Sequence, residues 1–176
     1  MTVTMPLNEE RLRLLDAALS APREQLLAAV IRSFIGPVIR GCVSVQPLET
    51  ASSAASGNSS RVVTQFLARV YSMPGEEEFL KAHYEPVRSR FVLALQMCLP
   101  KLPLDALLWR YNMMVGALIY AMDGPQRMTR RPMVFGQPSL SESEITAEAC
   151  IRQMTNFLVA GFEAADQDKN ERRPRR

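Results

Sequence analysis

Between Leu104 and Met122 the chain offers a helix that is apolar almost all the way round, and this segment limits the available folds more than any other. Leu104, Leu107, Leu108, Tyr111, Val115, Leu118, Ile119 and Met122 form one stripe. Trp109, Met113, Gly116 and Tyr120 cover a second face, leaving Asp105, Arg110 and Asp123 as the charges. Such a helix must be covered on at least two sides. Its uncharged run from Tyr111 to Met122 is well short of the roughly 20 residues that cross a bilayer. The cover is therefore protein, and in a chain of 176 residues a subunit interface is the expected source of part of it.

The other apolar patterns are helical too, and no period-two alternation bounded by turn residues offers a strand, so an all-α fold of six to seven helices is expected. A first helix is expected from Pro6 to Leu19, with a face of Leu7, Leu12, Leu15 and Leu19. Pro22 opens a second, where Leu27, Val30, Ile31, Phe34, Ile35 and Val38 recur at 3, 1, 3, 1, 3 and so share one core-facing stripe. Pro37 removes the hydrogen bond to the Ser33 carbonyl, which predicts a bend or a stop there, with Gly41 ending the helix. A third helix, capped by Ser60, carries Val63, Phe66, Leu67, Val70 and Tyr71 to the Pro74-Gly75 breaker. The fourth begins at Glu76-Glu77-Glu78, favourable against the positive end of a helix dipole, and Pro86 kinks it or splits it in two. After the helix from Leu104 to Met122, a capping box at Ser141–Glu144 opens the last, with Ile151, Met154, Leu158, Gly161, Phe162 and Ala165 on its stripe. Its small residues Ala147, Ala160, Gly161 and Ala164 allow close packing against a neighbour.

Residues 44 to 60 and 123 to 140 are expected to be loops, the first small and polar, the second punctuated by Gly124, Pro125, Pro132, Gly136 and Pro138. The expected organisation is a disordered residue 1–5 segment, one domain over 6–166 and a basic tail over 167–176. The formal charge of +3 comes wholly from the four Arg and one Glu of residues 171–176, which leaves residues 1–170 neutral. A neutral body is a poor phosphate-backbone binder, and DNA affinity is expected to be absent or limited to salt-sensitive attraction by the tail. Neither a secretory signal nor a membrane span is evident, and Cys42, Cys98 and Cys150 lie far apart in apolar surroundings. Reduced core thiols in a cytoplasmic protein are the expectation.

No catalytic constellation is found. His83 is the single histidine and the cysteines lack paired ligand spacing, so no metal or other cofactor is expected. Gly36-Pro-Val-Ile-Arg-Gly41 has phosphate-loop glycine spacing but lacks the Lys and Ser or Thr that must follow. Glu76, Glu77 and Glu78 are adjacent and splay around a helix instead of converging. What remains is a set of large, adaptable side chains, including Phe34, Phe66, Met73, Phe79, Tyr84, Phe91, Trp109 and Met113, which serve either as core or as the lining of a helical pocket. His83 beside Tyr84, with Arg88 one turn on, is the best polar cluster near them. Asn112 serves either an interface hydrogen bond or a ligand contact, and Arg127, Arg130 and Arg131 belong to a solvated loop.

Three segments, Pro6-Leu-Asn-Glu-Glu-Arg-Leu-Arg-Leu-Leu-Asp16, Phe79-Leu-Lys-Ala-His-Tyr-Glu-Pro-Val-Arg-Ser-Arg-Phe91 and Leu108-Trp-Arg-Tyr-Asn-Met-Met-Val-Gly-Ala-Leu118, carry a resemblance. In their order they resemble the C-terminal ligand-binding and dimerisation part of TetR-family transcriptional regulators, over about residues 6 to 165. The resemblance implies a homodimer in which the last two long helices of each subunit form a four-helix bundle, through Tyr111, Val115, Gly116, Ile119, Met154, Leu158, Gly161 and Phe162. It implies an effector site enclosed by the second to fifth helices, lined by Phe34, Phe66, Met73, His83, Tyr84, Arg88, Phe91, Trp109 and Met113. The implied function is that of a repressor released by a small apolar ligand that alters the spacing of two DNA-binding heads through the first helix. In the family a helix-turn-helix precedes the segment that resembles Pro6 to Asp16, and five residues do not supply one. A chain that begins late is expected, a natural stand-alone regulatory domain being the alternative. An all-α scaffold or adaptor for another helical protein is the competing class, and a small helical enzyme with titratable groups around His83 the third.

Overall fold

A computed structural model describes residues 4–43, 78, 81–82, 84–122 and 146–165, and places five helices among them. These are α1 (Thr4–Ala18), α2 (Arg23–Val43), α3 (Glu85–Cys98), α4 (Leu104–Met122) and α5 (Ala147–Glu163). Residues 78, 81 and 82 are helical as well, and no described residue is in a strand. Among the described residues the all-α expectation therefore holds; of the six to seven helices expected, one falls outside these residues. The expected helix from Ser60 to Pro74, the loops at 44–60 and 123–140, the Ser141–Glu144 capping box and the Arg-rich tail lie outside the described residues.

Helix α2 is the centre of the domain and packs against each of the other four. Its stripe explains this position. Val30, Ile31, Phe34, Ile35, Val38 and Ile39 are all buried, so two adjacent rows of the helix face protein. Pro37 does not stop α2, which continues for six residues beyond it to Val43. Around this axis Leu15 of α1, Phe91 and Leu95 of α3, Leu107 and Met114 of α4, and Phe162 of α5 are fully enclosed. Thr155, also enclosed, satisfies its hydroxyl by donating to the Ile151 carbonyl (2.7 Å) in its own helix.

Short connections hold the neighbours in place. Leu19 N–H donates to Leu15 O (3.0 Å) and Ala21 N–H to Ala18 O (2.9 Å), closing α1 before Pro22. Between α3 and α4, the Gln96 side-chain amide donates to the carbonyls of Leu99 (3.3 Å) and Leu102 (3.1 Å), clamping the proline turn. Pro86 splits the long helix expected from Glu76: Tyr84 stands at the break, and Pro86 sits in the first turn of α3, where its missing N–H has no partner to lose. Thr146 caps α5, its hydroxyl accepting from Ala149 N–H (3.1 Å).

Polar ties then cross between helices. Arg40 Nε donates to Glu148 Oε1 (2.8 Å), joining α2 to α5, and Arg90 pairs with Asp16, joining α3 to α1. Arg110 Nη1 donates to the Phe162 carbonyl (2.6 Å), which places a cation at the C-terminal end of α5, where the helix dipole favours it. Among the described residues no helix is long and apolar enough to cross a membrane.

Candidate functional site

A cleft of about 330 Å³ opens where α1, α2, α3 and α4 meet. Phe34 of α2 is at its base, only 3% exposed, with the Phe91 ring edge-on behind it (4.9 Å between centroids, 72°) and Tyr111 of α4 edge-on beside it (5.7 Å, 62°). Edge-to-face rings at such separations are a favourable arrangement that also fixes each ring's orientation. Tyr84, Val87, Asn112 and Val115 complete the uncharged wall.

Charge enters this apolar wall from three sides. Arg11, on α1, shares a stripe with Leu7, Leu15 and Ala18 and is only 5% exposed. Its guanidinium carbon stands 4.2 Å from the centroid of the Phe34 ring, and its Nε donates to the Phe34 carbonyl (2.9 Å). Arg88 reaches over Tyr111 (6.0 Å to the ring centroid) and donates to Glu85 Oε2 (3.0 Å), while Ser89 Oγ donates to Glu85 Oε1 (3.2 Å). Lys81 stands at the exposed rim. The described lining thus holds three cationic side chains against the one carboxylate of Glu85. Among the described residues no group of three or more His, Cys, Asp or Glu is placed to hold a metal ion.

Of the side chains expected to line an effector site, Phe34, Tyr84 and Arg88 meet in this cleft. Phe91 lies behind the base, fully enclosed. Trp109 and Met113 face outward, 70% and 64% exposed, because each is two residues from Tyr111 and two residues turn a helix by about 200°. Phe66, Met73 and the side chain of His83 lie outside the described residues. Among the lining residues, Arg11, Lys81, Glu85 and Val87 were missed by sequence reasoning. For Arg11 a signal existed, since it falls one turn after Leu7 and one turn before Leu15.

The residues expected at a subunit interface divide similarly. Tyr111, Met154, Leu158 and Phe162 are buried within the subunit itself, and Val115 and Ile119 are half-buried, Val115 in the cleft wall. Gly116 and Gly161 are exposed, and a Cβ built on either meets nothing within 4 Å. What α4 presents outward is the row Trp109, Met113, Gly116, Tyr120, and what α5 presents outward includes Phe157 (72% exposed), Ala160 and Gly161, with Ala164 exposed just past its end. Isolated exposed apolar residues are ordinary, but here three large ones, Trp109, Met113 and Tyr120, follow one another along α4, and Phe157 stands exposed on α5, which packs against it.

Away from the cleft, the hydrogen bond from Arg40 holds the Glu148 carboxyl below the usual glutamate range, with the charges of Arg40 and Arg32 adding to it. Burial pushes the Cys98 thiol up, in keeping with a half-buried position at the edge of the core.

A family model described as tetracyclin repressor-like, C-terminal domain, matches residues 45–161, about two thirds of the chain. Comparison with curated proteins and with solved structures returns no match.

Proposed function

We propose that this chain, which belongs to the tetracyclin repressor-like C-terminal domain family, is the effector-binding and dimerising part of a cytoplasmic transcription regulator. The finer reading is a repressor released by a small, largely apolar ligand. The observation that carries it is the aromatic cleft between four helices, whose volume of about 330 Å³ is that of a small-molecule pocket. Arg11 belongs to α1, while Phe34, Arg88 and Tyr111 belong to α2, α3 and α4. A ligand seated among them touches α1 and the rest of the domain together, and one that prefers a particular α1 position shifts the population toward it. The DNA-binding part of such a regulator would receive that shift through α1.

The exposed rows of α4 and α5 supply the second half of the proposal. A second copy laid against Trp109, Met113, Tyr120 and Phe157 would cover them in a four-helix arrangement. The same rows also favour a runner-up, a scaffold that uses them to hold a different helical protein, in which the cleft has no ligand.

A thermal-shift screen of small aromatic and aliphatic compounds tests the effector reading. A ligand at 100 times its dissociation constant adds about 2.7 kcal/mol to stability, a shift easily seen. The expected result is a set of stabilising compounds whose effect is lost in Asn112→Trp, where an exposed residue of the cleft wall is enlarged to fill it. No stabilising compound, or stabilisation unchanged in Asn112→Trp, contradicts the reading.

A further inference from the structure

We infer that α2 is hinged at Gly36-Pro37 and that Arg11 is the latch that keeps the hinge closed. Three features that weaken a helix fall close together in the element around which the others pack. Ser33 turns its hydroxyl back to the Val30 carbonyl (2.7 Å), Gly36 is among the poorest helix formers, and Pro37 brings no N–H to the Ser33 carbonyl. Together they leave the turn from Ser33 to Pro37 short of a rung in mid-helix. Every residue from Ser33 to Ile39 is buried, so bulk solvent does not supply the missing bond.

Two arginines hold this turn from outside it. Arg11 Nε of α1 donates to the carbonyl of Phe34 (2.9 Å), the next along from the carbonyl that Pro37 deprives of its helical donor, and the guanidinium lies over the Phe34 ring. Beyond the proline, Arg40 reaches back one turn, so that a Cβ on Gly36 would stand 3.1 Å from its Nη1, while its Nε donates to Glu148 of α5 (2.8 Å). The half of α2 before the break is thus tied to α1 and the half after it to α5. Releasing Arg11 leaves the backbone after Pro37 free to open locally while the rest of the core stays folded. Arg11 and Phe34 also form the base of the cleft, so a shift of α1 acts on the hinge; the inference itself does not require that the cleft take a ligand.

Amide hydrogen exchange of the full chain, read peptide by peptide in a mass spectrometer, tests this. In Arg11→Met the amides from Val38 to Gly41 should speed up about fivefold more than those from Leu107 to Leu118 of α4, which report overall stability. Pro37→Ala gives the Ser33 carbonyl a donor again, and in that background Arg11→Met should produce no such excess. Gly36→Ala, whose Cβ meets only the flexible end of Arg40, stiffens the same turn and should shrink the excess too, which decides the matter if Pro37→Ala loses its helical circular dichroism. An equal rise in α2 and α4 would make Arg11 a general packing contact and overturn the latch. An excess that persists undiminished in the stiffened backgrounds would overturn the hinge.

Discussion

The Arg11 guanidinium covers the face of the Phe34 ring at 4.2 Å and, through Nε, donates to the carbonyl of the same residue at 2.9 Å. One side chain of α1 is thereby held to both backbone and ring of α2, at the base of the cleft. Cation–π attraction, a buried hydrogen bond and a helix-to-helix tether coincide, so stability and ligand response are expected to change together when this contact is altered.

Replacing Arg11 with Met keeps most of the stem and removes both the guanidinium over the Phe34 ring and its hydrogen bond to the Phe34 carbonyl. Urea unfolding should show a loss of about 1–3 kcal/mol. Arg11→Lys should recover little of it, because an ammonium cannot lie flat over a ring as a guanidinium does.

Phe34→Ala should cost more, about 3–5 kcal/mol, since it opens a cavity beneath two edge-on rings, those of Phe91 and Tyr111. Any ligand-dependent thermal shift should be reduced in the same variant. A loss below about 1 kcal/mol would mean that the base of the cleft collapses freely and is not a formed wall.

The Arg40–Glu148 pair is exposed, so Glu148→Gln should lower stability by less than about 1 kcal/mol at neutral pH. The sign of its pH dependence follows from the lowered carboxyl pKa. The contribution is present above the ordinary glutamate range and is lost as pH falls through the lowered value in the folded state. Denaturation of Glu148→Gln beside the parent across pH 3 to 7 should show the two curves converging at the acid end.

Gly161 separates the subunit from its assembly. Nothing lies within 4 Å of a Cβ placed there, so within one subunit Gly161→Ala should be neutral or stabilising by up to about 1 kcal/mol through helix propensity. If a partner packs on this face, Gly161→Leu should raise the dimer dissociation constant measured by sedimentation while leaving helix content unchanged.

Much of the fold was legible because periodicity reports burial directly. The stripe from Leu27 to Val38 is buried as spaced, and the helix from Leu104 to Met122 runs over those residues. Periodicity does not report which neighbour does the burying. Tyr111, Met154, Leu158 and Phe162 were expected against a partner and are instead packed inside the subunit, while Trp109 and Met113, expected inside, stand exposed. A helix apolar on two faces leaves that choice open until the other helices are placed around it. Arg11 was passed over for a different reason: a charge in an apolar register looks like an interruption of the face, and only the ring and carbonyl of Phe34 explain why it is buried there. Pro37 was expected to bend or end α2; it does not end it, because Val38 and Ile39 beyond it are core and packing holds the helix on past the lost hydrogen bond.

The central claim is that the exposed apolar rows of α4 and α5 are the inner surface of a homodimer and that the cleft between α1, α2, α3 and α4 is its effector site. Light scattering over a wide concentration range tests it most directly. The expected result is a stable mass near twice 19.7 kDa, falling to one subunit in a Trp109→Asp, Phe157→Asp double variant that keeps its helical circular dichroism. A mass of 19.7 kDa at every concentration, or a dimer indifferent to both substitutions, would contradict it.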